Sequence, residues 1–483
     1  MEILLLTFSA ENIYLEYAAY SLYCLKAYVL KDNLPVNISV KCFNCSVSVP
    51  EQEMQNKEIT DLIRDRDVKI AGFGCYIWNM KRILSLSSMI KERFPDIKII
   101  FGGPQIMYKP EELLASHPFI DILVRGEGEE IFADLIRYAV HPGSNLEEIK
   151  GIIFRKDGSV ISNPPKEIRN ELDIIPSPYL TGLYKIKKGY VYPIETTRGC
   201  VFSCDYCHWG MTKLRFFSLE RVKKEIDYLL TNMTSISMFV DSAVNFDKKR
   251  ALEIIKFINN RNKGTLITMF QSIHFMDEEF IDLLNKSAGI YSEIGIQSLN
   301  PLALKNINRR IIKREEFLKL GLMKRPFTVD LIYGLPGDNL QFFKKTFEEV
   351  FRYTNNISMF RLGVHPGTQL WEKQEEYKME INEDYSIISN YSYSKSDINQ
   401  TERFRKNYEE LFTPVVCSEF VWEEISSIAD SIKLSVFDFI NSYSNYLRKN
   451  FSREYINTIK HSGREVKMQS LQEFSMAHGG EAF

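Results

Sequence analysis

No run of 18 apolar residues occurs in the chain, so no stretch of it is long enough to cross a bilayer as a helix. An excess of charge of either sign is also missing. Lys and Arg number 61 against 63 Asp and Glu, a formal net charge of −2, which gives no global attraction to nucleic acid or anionic membranes. The N-terminus, Met-Glu-Ile-Leu-Leu-Leu, lacks the basic segment of a secretory signal and reads as a strand. Cysteine is scarce: eight in 483 residues do not make a disulfide framework, and clustered thiols without an export signal suggest a reducing cytoplasm. No G-x-G-x-x-G opens the first helix, which disfavours a nicotinamide site. No acidic cluster follows the first strand, which disfavours a regulatory receiver domain.

What is present is an ordinary balance, 45% hydrophobic and 26% charged, in a chain long enough for two or three domains. Residues 3–8, 38–43, 70–74, 97–101 and 122–124 read as strands, with helical patterns at 18–30 and 83–94 between them. That rhythm predicts a parallel, doubly wound, Rossmann-like sheet over residues 1–145, with a ligand beyond the carboxyl ends of its strands. The unusual residues fall at those ends. They are Thr7, Phe8 and Ser9; Cys75, Tyr76, Ile77, Trp78 and Asn79; Gly102, Gly103, Pro104 and Gln105; and Arg125, Gly126, Glu127, Gly128 and Glu129. Residues 146–188 read as a hairpin turned at Asp157-Gly158 and a Pro-rich connector. The β/α alternation then resumes, with strands expected at 190–196, 237–240, 266–270, 291–296, 328–332 and 359–364.

Cys200, Cys204 and Cys207 stand in a C-x3-C-x2-C loop just after the first of these strands. Thiolates are the ligands of iron–sulfur clusters, and three of them on a four-iron cubane leave one iron open. An open iron can chelate the amine and carboxylate of S-adenosylmethionine (SAM). The competing arrangement is a zinc site with His208 as fourth ligand. His208 adjoins Cys207, whereas structural zinc ligands usually come in two separated pairs, so the cluster is favoured. Cys42 and Cys45 form a C-x2-C pair with no second pair and read as structural.

This loop in its Thr-Arg-Gly-Cys setting resembles the radical SAM enzymes, and the phrases Tyr-Ile-Trp-Asn, Phe-Gly-Gly-Pro and Arg-Gly-Glu-Gly-Glu resemble the cobalamin-binding domain that precedes many of them. The resemblance implies three cofactors: a 4Fe-4S cluster on Cys200, Cys204 and Cys207, SAM, and cobalamin. It implies an open six-strand (β/α)6 partial TIM barrel over residues 189–395. By the same resemblance SAM contacts fall on Tyr206, Asp241, Gln271, Glu293, Gln297 and Arg309, with Arg309 toward the carboxylate. A family pair of acidic residues is reduced here to Asp241 beside Ser242, and Gln271 and Asp330 read equally as strand-end polar groups. Cobalamin contacts fall on Thr7, Phe8, Ser9, Cys75, Tyr76, Ile77, Trp78, Gly102, Gly103, Pro104, Gln105, Gly126 and Glu127. No D-x-H-x-x-G is present, so the implied cobalamin has its own base detached and its lower face near residues 75–78.

Residues 396–483 turn to amphipathic helical stretches, notably 419–428 and 436–447, studded with Phe420, Trp422, Phe437, Phe439, Tyr443 and Tyr446. They read as a helical, substrate-side cap, with disorder expected over 463–483. The function implied is methylation of an unactivated carbon in a small-molecule natural product or a peptide, through a 5′-deoxyadenosyl radical and methylcobalamin. An electron donor such as flavodoxin or ferredoxin is implied as a partner. The alternative within the same family is ring formation, rearrangement or epimerisation without methyl transfer, and outside catalysis a cobalamin sensor.

Overall fold

Strand β1 (Glu2–Ser9) carries seven consecutive buried residues, Ile3 to Ser9, and the first half of the chain is laid out around it. The computed structural model describes residues 1–141, 143, 145–232, 235–411, 422–452, 454 and 464–478. The chain divides into two compact units: residues 1–198, 214–241 and 257–267 in one, and 199–213, 242–256 and 268–483 in the other.

In the first unit β1 pairs in parallel with β2 (Asn37–Asn44) on one side and β3 (Val68–Gly74) on the other. β4 (Lys98–Gly102) and β5 (Ile122–Val124) follow in parallel. The order β2-β1-β3-β4-β5 reverses direction at β1 and β3, and such a reversal opens a crevice at the carboxyl ends of those strands. Helices α1 (Leu15–Leu30), α2 (Val49–Arg66), α3 (Met80–Arg93), α4 (Pro110–Ser116) and α5 (Gly128–Val140) connect them. The α2 helix was not among those legible in the sequence. It buries only Ile59, Thr60 and Ile63, too few for a periodic signal, and starts from a capping box between Ser48 and Glu51.

The hairpin turns at Asp157 and Gly158, both at positive φ as its tight turn requires. Its strands β6 (Ile152–Lys156) and β7 (Ser159–Ser162) do not stand apart in the connector. They add antiparallel to β5, making a seven-stranded sheet, because Ile152, Ile153 and Phe154 are all buried and need cover on both faces. After the connector come β8 (Val191–Ile194), a two-residue ribbon of β9 (Thr197–Arg198) and β10 (Arg215–Phe216), α6 (Leu219–Thr231) and β11 (Ile236–Phe239).

With β12 (Leu266–Gln271), β13 (Ile290–Gln297), β14 (Phe327–Tyr333) and β15 (Ile357–Arg361), strands β8 and β11 form a six-stranded sheet whose order follows the chain. The pairings β8–β11, β13–β14 and β14–β15 are parallel. β13 alternates strictly. Ile290, Ser292, Ile294 and Ile296 are buried on one face, and Tyr291, Glu293, Gly295 and Gln297 are half-buried on the other.

Helices Lys395–Leu411, Trp422–Ser431, Val436–Asn450 and Arg464–Ala477 close the second unit. Phe437 stacks on Phe404 with ring centroids 3.6 Å apart, and Phe347 meets both rings edge-on. The last helix corrects the expectation of disorder over 463–483 for its described residues. Leu471 and Phe474 are fully buried, and Phe474 packs on Phe439, Tyr443 and Tyr446, so a few aromatic contacts order a segment that lacks a regular apolar repeat. Phe420 and the start of the stretch read as 419–428 lie outside the described residues.

Candidate functional site

The cysteine loop leaves β9 through Gly199, at φ +86°, where a Cβ would sit 2.3 Å from the Lys213 carbonyl oxygen. Only glycine fits there. Gly210 lets the loop close on itself in the same way, against the Phe202 carbonyl. The loop is braced throughout. Cys207 N–H donates to the Cys204 carbonyl at 3.0 Å, and the buried Asp205 accepts from Lys373 at 2.7 Å. Phe202 is packed among Phe246, His274 and Phe275. Burial pushes the Cys207 thiol up to about 11 and raises Cys204 as well, the latter partly offset by Arg309. Metal-free, these thiols hold their protons, and binding a metal releases them. Among the described residues no three His, Cys, Asp or Glu side chains converge as ligands of a single ion would.

Arg309 joins this loop to the end of β13. Its Nη1 donates to the Tyr206 hydroxyl at 3.3 Å and lies 3.7 Å from the Cys204 sulfur, while Nη2 donates to the Gly295 carbonyl at 2.5 Å. Its Nε–H is buried without a partner. Gly295 makes room for this: a Cβ there would lie 2.6 Å from the Gln297 amide and 3.4 Å from Arg309. Gln297 itself sits at φ +68°. On the same face of the sheet stand the half-buried Glu293 of β13 and Asp330 of β14, the latter in register with Gly295. Burial, then the Glu293 charge, pushes Asp330 up to about 7, with Arg309 opposing, and burial raises Glu293. Cys204, Tyr206, Gln297 and Arg309 are thus brought together, with Asp330 feeling the Arg309 charge and the charge of its neighbour Glu293.

Two of the residues expected around SAM, Asp241 and Gln271, are engaged with other groups of the protein. Asp241 is fully buried, and its carboxylate is occupied by the N–H and hydroxyl of Thr196 and the N–H of Thr197. Gln271 is buried against Ser292, on the face of β13 opposite Glu293. Strand parity, visible only with the register in hand, puts Gln271 on the buried face with Ser292, whereas Asp241 lies beyond the end of β11 and is held by its hydrogen bonds.

At the strand ends of the first unit, a cleft of about 140 Å³ is lined by Gly72, Gly74, Gly102, Gly103, Gly126 and Gly128, with Leu22 and Leu25 of α1 and Phe132 of α5. Side chains at most of these six positions would narrow it. Gly103, at φ +107°, also brings its backbone to where a Cβ would lie 2.6 Å from the Cys75 carbonyl. The lining of α1 and the glycines within β3 were not legible in the sequence, because nothing local marks them as facing one cleft. Thr7, Phe8, Ser9 and Cys75 are buried. Asn79, wholly buried, donates to the Thr7 hydroxyl and to the Phe8 and Gly74 carbonyls, tying β1 to β3. Ile77, Trp78, Pro104 and Gly126 are exposed, with the half-buried Tyr76 stacked on Trp78 at 4.7 Å. Pro104 and Gln105 begin a short turn of helix after β4. Glu127 pairs with Arg215.

A glycine-lined cleft at a switch point suits a large flat group, and three thiols in a braced loop suit a cluster. The comparisons agree with both. A B12 binding domain model matches residues 20–136, and a Radical SAM superfamily model matches residues 194–350. In that order the two make the chain a cobalamin-dependent radical SAM protein. It is 26% identical over 351 residues to the cobalamin-dependent radical SAM methyltransferase TokK of Streptomyces tokunonensis, covering 66% of this chain and 50% of that one. It is 34% identical over 242 residues to an anaerobic magnesium-protoporphyrin IX monomethyl ester cyclase of Synechocystis sp., covering 47% of each. The match therefore spans about half the length of these relatives. In fold it resembles the cobalamin-dependent S-adenosylmethionine radical enzyme OxsB, solved with aqua-cobalamin and S-adenosylmethionine bound. The TM-score is 0.66 at 14% identity, over 99% of this chain and 79% of that one.

Proposed function

We propose that the protein is a radical SAM enzyme that methylates an unactivated carbon of a small-molecule natural product or a peptide, using a 4Fe-4S cluster, SAM and cobalamin. The observation that carries this is the braced three-cysteine loop with Arg309 bridging Cys204 and the end of β13. When bound, the cluster supplies the electron that cleaves SAM and cobalamin supplies the methyl group. The chain's own residues orient and shield. Cys200, Cys204 and Cys207 would hold the cluster as its thiolate ligands. The unpartnered Nε–H of Arg309 is a donor for the SAM carboxylate. Tyr206, Glu293 and Gln297 would meet its adenosyl and amino groups. The glycines of the first unit and the stacked Tyr76 and Trp78, with Ile77, would hold the cobalamin. The C-terminal helices form the substrate side, and a flavodoxin or ferredoxin supplies electrons.

The test is stoichiometry. With substrate, S-adenosylhomocysteine and 5′-deoxyadenosine should each form in about equal amount to the methylated product, because two separate activations of SAM are needed. Methyl-labelled SAM should pass its label to that product. The 34% identity to a cyclase favours a second reading, ring formation with the same cofactors. In that case 5′-deoxyadenosine forms without matching S-adenosylhomocysteine, and the product gains no methyl group.

A further inference from the structure

Two arginines face each other in the smallest sheet of the molecule. Arg198 of β9 is the direct register partner of Arg215 of β10. Like charges opposite one another in a ribbon are unfavourable, and here both side chains are largely buried, at 15% and 5% exposure. Three carboxylates offset them. Arg198 donates to Glu129 at 2.7 Å and to Glu195 at 2.8 Å, and stands 3.6 Å from Glu127. Arg215 grips Glu127 with both terminal nitrogens. Glu127 is the N-cap residue of α5 yet makes no side-chain cap bond; its carboxylate is directed to the arginines instead. Glu129 lies in the first turn of the same helix; burial raises its carboxyl, but the charge and hydrogen bond of Arg198, a backbone N–H and the Arg215 charge together hold it below the usual range.

Glu129 also lines the glycine cleft. A ligand entering that cleft therefore meets a side chain whose other contact is Arg198. Arg198 in turn is separated from Cys200 by Gly199 alone, and Gly199 is locked by its own conformation. The connection from the cleft to the first cluster cysteine is one ion pair and two peptide bonds long. Asp241 holds the preceding Thr196 and Thr197 in place, so a shift of Arg198 has little slack to be absorbed on that side.

We propose that Arg198 is a positioning residue that makes occupancy of the cobalamin cleft and the geometry of the cysteine loop interdependent. This rests on the functional reading above and deepens it. A guanidinium suits this place because Nε faces Glu195 while Nη2 reaches both Glu129 and Glu195 in one fixed fork, whereas an ammonium must meet both carboxylates from a single nitrogen.

The experiment measures a coupling rather than turnover. The cluster-loaded protein, with and without bound hydroxocobalamin, is titrated with SAM in the absence of reductant, so that no SAM is cleaved. In the wild type, cobalamin should tighten SAM binding about fivefold or more, within the ordinary range of coupling between sites. Arg198→Lys and Glu129→Gln should each bring that factor to within about twofold of one. Glu129→Gln leaves β9 intact should Arg198→Lys fail to fold. Arg221→Lys, which disturbs another buried ion pair of this unit, with Glu225 at 2.9 Å, should keep the wild-type factor. A purely structural role would shift both SAM affinities alike and leave the factor unchanged, which overturns the proposal, as does a wild-type factor of one or an equal loss in Arg221→Lys. A wild-type protein that retains no cobalamin overturns the functional reading beneath it as well.

Discussion

The Asp241 carboxylate accepts from both the N–H and the hydroxyl of Thr196, at 2.8 and 2.7 Å, and from the N–H of Thr197 at 2.6 Å. These are the residues that lead into Arg198 and the cysteine loop. Asp241→Asn keeps an oxygen for the two N–H groups but forces the Thr196 hydroxyl from donor to acceptor and removes the charge from all three bonds, and should destabilise the protein by about 1–3 kcal/mol. Melting temperature and iron content should fall together, with SAM affinity of the folded fraction within about twofold of wild type. Normal stability with lost SAM binding would instead make Asp241 a ligand.

Cys204→Ala should abolish the cluster, leaving well under the about four irons per chain expected after anaerobic reconstitution. Arg309→Lys should keep the iron, since it is no ligand, but weaken SAM binding by about tenfold or more through loss of the planar fork. Iron assay and equilibrium binding on the same preparations separate the two effects.

Glu293 and Asp330 share one face of the sheet. Burial raises both, Asp330 to about 7, so between about pH 4 and pH 7 the folded state binds more protons than the unfolded one. Stability from this pair is therefore fullest at the acid end, falls as pH rises through that window, and is level above it. Asp330→Asn should flatten the slope. Urea midpoints across the window in both proteins measure it, and identical slopes would exclude Asp330 as its source.

Gly102 and Gly103 adjoin in the cleft but differ in what a side chain meets. A Cβ on Gly102 makes only ordinary contact, 3.7 Å from Val124, and its φ is not positive, whereas one on Gly103 runs into the Cys75 backbone. Gly102→Val should fold within a few degrees of wild type and lose cobalamin through gel filtration, by filling the cleft. Gly103→Ala should lose stability as well, by about 1–3 kcal/mol of backbone strain. Retention of cobalamin by Gly102→Val would move the corrinoid elsewhere.

The sequence alone determined what is local and repetitive. Five apolar strand segments placed β1 to β5 within two residues, because a strand buried on both faces writes itself as an apolar run. The C-x3-C-x2-C spacing and the Gly-rich phrases at strand ends marked both cofactor motifs, because each is a contiguous loop. Tertiary structure alone decided whatever depends on register, parity or a partner far along the chain. Asp241 and Gln271 have the right residue types at the right strand ends, yet one is consumed by Thr196 and Thr197 and the other faces Ser292. The carboxylates of Arg-Gly-Glu-Gly-Glu read as loop residues, but their cations, Arg198 and Arg215, lie some 70 to 90 positions away and meet them only when β9 pairs with β10. An ion pair needs two groups within a few ångströms, and no pattern in one stretch of sequence carries the position of the other.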